Sequence, residues 1–222
     1  MSPTVLRHFV PLVVAAVALA GCSDDKKEPS AATSSTESTV PTTAAAETTT
    51  STAPTTTTAP GLSGESRLGF DGIGPIKIFM TLAQATAAVG KPVKVDPNYE
   101  FEGCAYANVD GGPEGLSFMV NRNKPSDPWL IVRADVNEGS AIATVSGIRV
   151  GATEAQVKEV YSGQGGSYTV EPHPYTAPEG HYLVYDADGK GGRLLIFATD
   201  GKKVLSFRAG DEGAVQAIEG CA

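Results

Sequence analysis

Two stretches of the chain read alike: Ile76-Lys-Ile-Phe-Met-Thr-Leu-Ala-Gln84 and, 72 positions later, Ile148-Arg-Val-Gly-Ala-Thr-Glu-Ala-Gln156. Each is a short strand-like segment followed by Thr-x-x-Gln and an apolar-periodic stretch. This spacing is a capping box, in which the threonine oxygen and the glutamine side chain each accept a backbone N–H at the start of a helix. We therefore predict that Thr81 and Thr153 are N-caps of helices over residues 82–89 and 154–161.

Each of these helices is followed by strand signals separated by Gly- and Asp-rich turns. Short connections between consecutive strands produce antiparallel hairpins. The predicted strands are residues 102–108, 116–121 and 129–136 in the first half and residues 181–186, 193–199 and 204–208 in the second half.

The ends of the two halves match as well, since residues 142–147 align with residues 215–220. Matches at both ends of the unit indicate a duplication. We expect an α+β fold of two tandem repeats, residues 63–147 and 148–222, each a short helix packed on a three- to four-stranded antiparallel sheet.

The helix-start pattern resembles that of the small outer-membrane-assembly lipoproteins, with Phe79-Met80-Thr81 and Gly151-Ala152-Thr153 at the turn and Gly90-Lys91-Pro92 after the first helix. Two such units in a row resemble the beta-lactamase inhibitory proteins. The whole chain is similar to secreted actinobacterial lipoproteins of unknown function. The resemblance implies the tandem helix-on-sheet fold. Its pattern has glycine where Phe79 stands, so a distorted turn is expected there.

The N-terminal segment is interpreted as a signal peptide. Arg7 precedes a short apolar run over residues 9–20, which is too short to span a bilayer. Leu19-Ala20-Gly21-Cys22 then resembles the lipobox of bacterial lipoproteins. That resemblance implies that residues 1–21 are a lipoprotein signal peptide and that Cys22 carries the lipid, which places the protein at the extracytoplasmic face of the bacterial cell membrane. An ordinary signal peptide with a chance cysteine is the alternative.

Residues 22–62 are expected to form a disordered tether after the lipidated cysteine. Thirteen of the thirty residues from 31 to 60 are Thr, and most of the others are Ser, Ala or Pro. Such a composition buries too little apolar surface to offset the entropy of ordering, and it is also typical of O-glycosylated stalks. The tether would hold the folded part away from the membrane.

Two cysteines remain once Cys22 is assigned to the lipid. An even pair in an exported chain indicates a disulfide, so we expect Cys104 to bond Cys221. Two free thiols are the alternative.

The search for reactive groups gives no catalytic constellation, and no cofactor or metal is predicted. Glu171, His173, Glu179 and His181 lie within eleven residues of sequence, but the intervening prolines leave no helical face to organise metal ligands. We interpret these four residues as loop side chains that form only local hydrogen bonds and bind no metal. The net charge of -8 and the pI of about 4.9 argue against a nucleic-acid partner.

Exposed aromatic residues are the remaining functional signal. We predict Trp129, Tyr175 and Tyr182 as interface residues because aromatic side chains near strand starts and in loops are frequent anchors of protein interfaces. The leading hypothesis is a non-catalytic, lipid-anchored module that binds an envelope protein or a cell-wall polymer. The alternatives are a hydrolase acting on the cell wall and a carrier of a small ligand or lipid, which needs an apolar cavity.

Overall fold

The structure is a computed structural model that describes residues 61–221. The expected signal peptide, Cys22 and the tether as far as residue 60 lie outside the described residues. Over residues 61–221, no helix has the length and apolar character needed to cross a membrane.

The described chain is mixed α and β but mostly β, with two sheets and three short α-helices. The strands in chain order are β1 (Arg67–Gly69), β2 (Gly72–Ile73), β3 (Ile76–Lys77), β4 (Val93–Val95), β5 (Cys104–Val109), β6 (Leu116–Asn121), β7 (Leu130–Val136), β8 (Ala143–Thr144), β9 (Ser167–Pro172), β10 (His181–Asp186), β11 (Arg193–Thr199) and β12 (Val204–Asp211). The helices are α1 (Leu82–Val89), α2 (Glu154–Tyr161) and α3 (Glu212–Gln216), with a 3-10 turn at Pro97–Tyr99.

One eight-stranded antiparallel sheet forms the body of the fold, in the order β4-β5-β6-β7-β12-β11-β10-β9. Its two middle strands, β7 and β12, pair from Val136 opposite Phe207 to Arg133 opposite Gly210. The expectation of a separate sheet in each half is therefore corrected. The reason is that β7 and β12 each have a free edge after the local hairpins have formed, and each edge is covered by pairing with the other.

Helices α1 and α2 begin and end at the predicted residues. Thr81 accepts from the Gln84 backbone N–H at 3.2 Å while Gln84 Oε1 accepts from the Thr81 N–H at 2.8 Å. The same reciprocal bonds join Thr153 and Gln156. Each capping box satisfies backbone groups that the first turn of a helix leaves unpaired.

The residue two positions before each N-cap has left-handed backbone. Gly151 has φ 86° and Phe79 has φ 70°. Glycine adopts this region freely, whereas phenylalanine does so at a cost in strain. The distorted turn expected at Phe79 is therefore a left-handed turn, with the phenylalanine side chain half exposed.

A small second sheet lies beside the large one. Its order is β3-β2-β1-β8, with β1 parallel to β8 and the other pairs antiparallel. The sequence analysis predicted neither this sheet nor the edge strands β4 and β9 nor helix α3. The small sheet contributes Leu68, Ile73 and Ile76 to the main hydrophobic core, and all three are fully buried.

The large sheet has two faces with different coverings. On the helix face, α1 and α2 bury residues such as Phe118, Phe197 and Phe207 in the main core. On the opposite face, which we call the second face, α3 covers smaller apolar clusters that include Ile196 and Val215. Both faces of β11 are thus buried, which explains why this strand is apolar along nearly its whole length.

Candidate functional site

The second face carries the C-terminal segment, residues 212–221, which the disulfide fixes in place. Cys104 on β5 is bonded to Cys221, with the two Cα atoms 5.3 Å apart. The segment therefore runs from the end of β12 across the sheet to β5. The expected Cys104–Cys221 disulfide is present.

Arg133 on β7 is almost fully buried and holds the same segment from beneath. Its Nη1 donates to the carbonyl oxygens of Ala214 and Ala217 at 2.6 and 3.0 Å, and its Nη2 donates to the Tyr106 hydroxyl at 2.8 Å. Its Nε lies 3.0 Å from the Asp135 carboxylate, which balances the buried charge. These bonds satisfy carbonyls at the end of the short helix α3.

A groove of about 200 Å³ remains open beside the C-terminal segment, on the β9–β12 side of the second face. We call it the second-face groove. Its lining combines apolar side chains with two charged ones and an amide: Tyr182, Val184, Ile196, Ile218, Glu171, Arg208 and Gln216.

The Arg208 guanidinium lines this groove, where one of its nitrogens donates a hydrogen bond and another is buried without a partner in the described chain. Its Nε donates to the Val215 carbonyl oxygen at 2.6 Å, and its guanidinium carbon lies 5.0 Å from the centre of the Tyr182 ring. Its Nη2 is buried and has no hydrogen-bond partner among residues 61–221. An unsatisfied buried donor costs about 1–3 kcal/mol, and a bound acceptor would remove that cost.

The loop after β9 contacts a residue that lines this groove. The His173 ring lies 4.5 Å from the Tyr182 ring and 6.0 Å from the Tyr175 ring, measured between centres. Burial, assisted by the nearby Arg208 charge, lowers the pKa of His173 below its usual value. The ring contact with Tyr182, which lines the second-face groove, places His173 beside that groove.

The three predicted interface aromatics have different environments. Tyr175 is 64% exposed and is available for contact. Tyr182 is only 7% exposed and packs with Leu194 and Ile196 in the second-face cluster, but it also lines the second-face groove, so its assignment as an interface residue stays a prediction. The alternation of β10 turns its side chain into this covered layer.

Trp129 is also not a free anchor, because it packs against the main core. The guanidinium carbon of Arg122 lies 4.1 Å from the centre of its ring and covers one face. Arg122 is held in turn by an ion pair with Glu100. This arrangement secures the entrance of β7 rather than presenting the indole to a partner.

The histidines and acids of the 171–181 region separate in the structure. His173 faces Tyr182, whereas His181 Nδ1 lies 2.9 Å from Glu154 Oε1 at the start of α2. Thr199 donates to the same carboxylate oxygen, so the group ties α2 to β10 and β11. Within residues 61–221, no cluster of three or more His, Cys, Asp or Glu side chains is placed to hold a metal ion.

The His181–Glu154 pair is also the arrangement that a hydrolase would require. Neither residue lines the second-face groove or the concavities beside Tyr161, Leu130 and Tyr106. The hydroxyl of Thr199 is committed to Glu154 instead of to the histidine ring. These contacts give the pair a structural role in joining α2 to β10 and β11.

A larger concavity of about 570 Å³ lies on the opposite, helix face, between the small sheet and α2. We call it the glycine-rich cleft because the β1–β2 turn and the segment after it, with Gly69, Gly72 and Gly74, form one wall. It is half open and mixes charged rim residues with an apolar floor. It is not the enclosed apolar cavity that a lipid carrier requires.

Comparison with protein-family models, with curated proteins and with solved structures gives no match for this chain. The candidate sites thus depend on geometry alone. Sequence reasoning missed Arg133, Arg208 and Ile218. The available signal for Arg133 and Arg208 was an arginine within a predicted strand, because a charged side chain that becomes buried there needs a dedicated partner.

Proposed function

We propose that the protein is a non-catalytic binding module whose second-face groove receives an envelope protein. The observation that carries this proposal is the buried, unpartnered Nη2 of Arg208 in a groove with an apolar lining. A partner that inserts an apolar side chain beside a carboxylate or carbonyl oxygen would cover the apolar lining of the groove and accept a hydrogen bond from Arg208. Arginine and aromatic residues at the centre of an interface commonly supply most of its binding free energy.

Two exposed apolar residues support a protein partner. Ile218 on the C-terminal segment lines the groove and is 44% exposed. The exposed Tyr175 contacts His173, which packs on the groove residue Tyr182. Exposed apolar side chains near a polar centre can exclude water from an interfacial hydrogen bond.

Photocrosslinking in intact cells tests this proposal. A benzoylphenylalanine at position 175 or 218 is expected to give an adduct of one discrete mass. The matched control is Tyr99, which is 60% exposed and lies outside the second-face groove. An equal yield of the same adduct from position 99 would refute the assignment of the surface.

A substitution separates groove binding from nonspecific adhesion. Ile218→Asp is expected to abolish the crosslink from position 175, because a carboxylate would oppose the acidic partner group at Arg208. Leu205→Asp is the control, since Leu205 is 43% exposed, nearly the same as Ile218, but does not line the groove. Loss of the adduct in both variants, or in neither, would contradict the proposal.

We further propose that the module is anchored at the extracytoplasmic face of the bacterial membrane through lipid on Cys22 and extended by the tether of residues 22–62. The support is the lipobox-like Leu19-Ala20-Gly21-Cys22 and the Thr-rich composition that follows it. Labelled palmitate is expected to enter the wild-type chain and not the Cys22→Ala variant, which should leave the membrane fraction. Equal labelling of both would refute the anchor.

The two halves of the described chain are proposed to be tandem repeats, in line with the resemblance to the beta-lactamase inhibitory proteins. Equivalent backbone bonds support this. The Phe79 N–H donates to the Ile131 carbonyl at 2.6 Å, which joins the turn before α1 to β7. The Gly151 N–H donates to the Val204 carbonyl at 2.8 Å, which joins the turn before α2 to β12. In an experimental structure, β4–β7 with α1 should superpose on β9–β12 with α2. A different order of those elements would overturn the proposal.

A further inference from the structure

The glycine-rich cleft has a positive rim in an acidic protein. Arg67 and Lys77 both line it, and neither forms an ion pair with a carboxylate among residues 61–221. The third charged residue of the rim, Asp71, is paired with Arg193 at 2.5 Å. The uncompensated charge at this rim is therefore positive, although the chain as a whole has a net charge of -8.

The two cations are positioned by the backbone and still have free donors. Arg67 Nη1 donates to the Glu65 carbonyl oxygen at 2.7 Å, and Lys77 Nζ donates to the Gly74 carbonyl oxygen at 3.0 Å. A guanidinium has five N–H donors and an ammonium has three, so most of their capacity faces solvent at the cleft. A negatively charged group in the cleft would accept from both.

The floor of the cleft is apolar and partly aromatic. Leu68, Tyr161 and Leu195 lie beneath it with almost no exposed surface. The partly buried Phe70 and the exposed Val145 supply its accessible apolar wall. The Phe70 ring lies 5.6 Å from the ring of Tyr185, which fixes its orientation from behind. This surface favours a flat, apolar body over a fully hydrated ion.

We propose that the glycine-rich cleft binds a small organic anion in which a phosphate or carboxylate is attached to a planar ring. The anionic group would lie between Arg67 and Lys77, and the ring would lie over the apolar floor beside Phe70. This site is independent of the proposed protein-binding function, because consecutive residues of β11, Leu195 and Ile196, point to opposite faces of the sheet and line different concavities.

Titration of the full chain with phenyl phosphate, followed by backbone amide NMR, tests this site. We expect saturable shifts at Gly69, Gly72 and Gly74 with no change at the second-face groove. Inorganic phosphate has the charge without the ring, and phenol has the ring without the charge. Both are expected to bind at least about tenfold more weakly than phenyl phosphate.

The double variant Arg67→Gln/Lys77→Gln should weaken phenyl phosphate binding about tenfold or more. The control is Lys124→Gln/Lys202→Gln, which lowers the net charge equally with two exposed lysines that line neither the glycine-rich cleft nor the second-face groove. Equal affinity in both double variants, equal binding of phenol, or shifts that do not saturate would each overturn the proposal. Raising the salt concentration from about 0.01 M to about 1 M should also weaken binding, because the Debye length falls from about 30 Å to about 3 Å.

Discussion

Removal of the Cys104–Cys221 disulfide should lower the stability of the protein more than any single side-chain contact at the second face. The bond connects residues separated by 117 positions, from β5 to the end of the C-terminal segment. It therefore restricts the unfolded chain over residues 104–221, the larger part of the described length. The substitution Cys104→Ala/Cys221→Ala removes this restriction and leaves the Arg133 bonds to the same segment intact.

The magnitude follows from the length of the closed loop. For a separation of 117 residues, the loop-closure relation gives an entropy loss of about 16 cal/mol/K in the unfolded state, which is about 4.9 kcal/mol at 25 °C. With a urea dependence of about 2 kcal/mol/M, the unfolding midpoint should fall by roughly 2.4 M. Urea denaturation of the full chain, followed by the fluorescence of Trp129, measures this shift.

A reduced wild-type sample provides the matched comparison, because it has the same side chains as the oxidised protein. We expect reduction and double substitution to give similar midpoints. A midpoint shift below roughly 0.5 M, equivalent to about 1 kcal/mol, would refute the argument that the bond acts on the unfolded chain. It would mean that Arg133 and the apolar contacts alone account for the position of the C-terminal segment.

Three further changes test the local arguments. Thr153→Ala should cost about 1 kcal/mol of unfolding free energy through loss of the α2 cap, and an unchanged urea midpoint would contradict this. Burial raises the pKa of Asp135 above its ordinary value of 3.8, so the unfolding free energy of the wild type should fall as pH rises from about 3.8 through the raised pKa. The Asp135→Asn variant should lack this loss. Parallel pH profiles of unfolding free energy for the two proteins would contradict the assignment. Gly210→Ala should cost more than about 1 kcal/mol of unfolding free energy, because Gly210 has φ 152° and a Cβ there would lie 2.8 Å from Arg133 Cα. Gly163→Ala is the control and should leave the urea midpoint unchanged, because a Cβ at position 163 would have no atom within 4 Å.

Helices and local hairpins were predictable because short-range patterns determine them. The bounds of α1 and α2 match the prediction, as do those of β6, β10 and β11. The capping box fixes a helix start within four residues, and alternating apolar residues between turn residues fix a hairpin strand. These features need no knowledge of distant parts of the chain.

The missed elements lack such local signals. Strands β2 and β8 have two residues each, which is too short for any periodicity, whereas β3 lies in the strand-like segment predicted before Thr81. Strand β9 is exposed along nearly its whole length, so no apolar alternation indicates it. Their positions are set by pairing partners that the local sequence does not identify.

The candidate sites were the least predictable part. Tyr175 is exposed, but Trp129 is covered on one face by Arg122 and Tyr182 by side chains of β11 and β12. Arg208 becomes notable only when the C-terminal segment has taken its place and Val215 accepts from its Nε. The sequence gives the chemical groups, and the tertiary contacts decide which of them remain available.

The pairing of β7 with β12 has a consequence for how the sheet is assembled. It joins Val136 to Phe207 and Arg133 to Gly210, residues 71 and 77 positions apart, whereas the other strand pairs of the large sheet are sequence neighbours. Local hairpins close rapidly and distant pairings close slowly, so this junction forms late in folding. Until then the edges of β7 and β12 are both open, and the edge of β7 can pair with β12 of another copy of the chain in the same register. Concentrated refolding should consequently produce strand-exchanged dimers through this register.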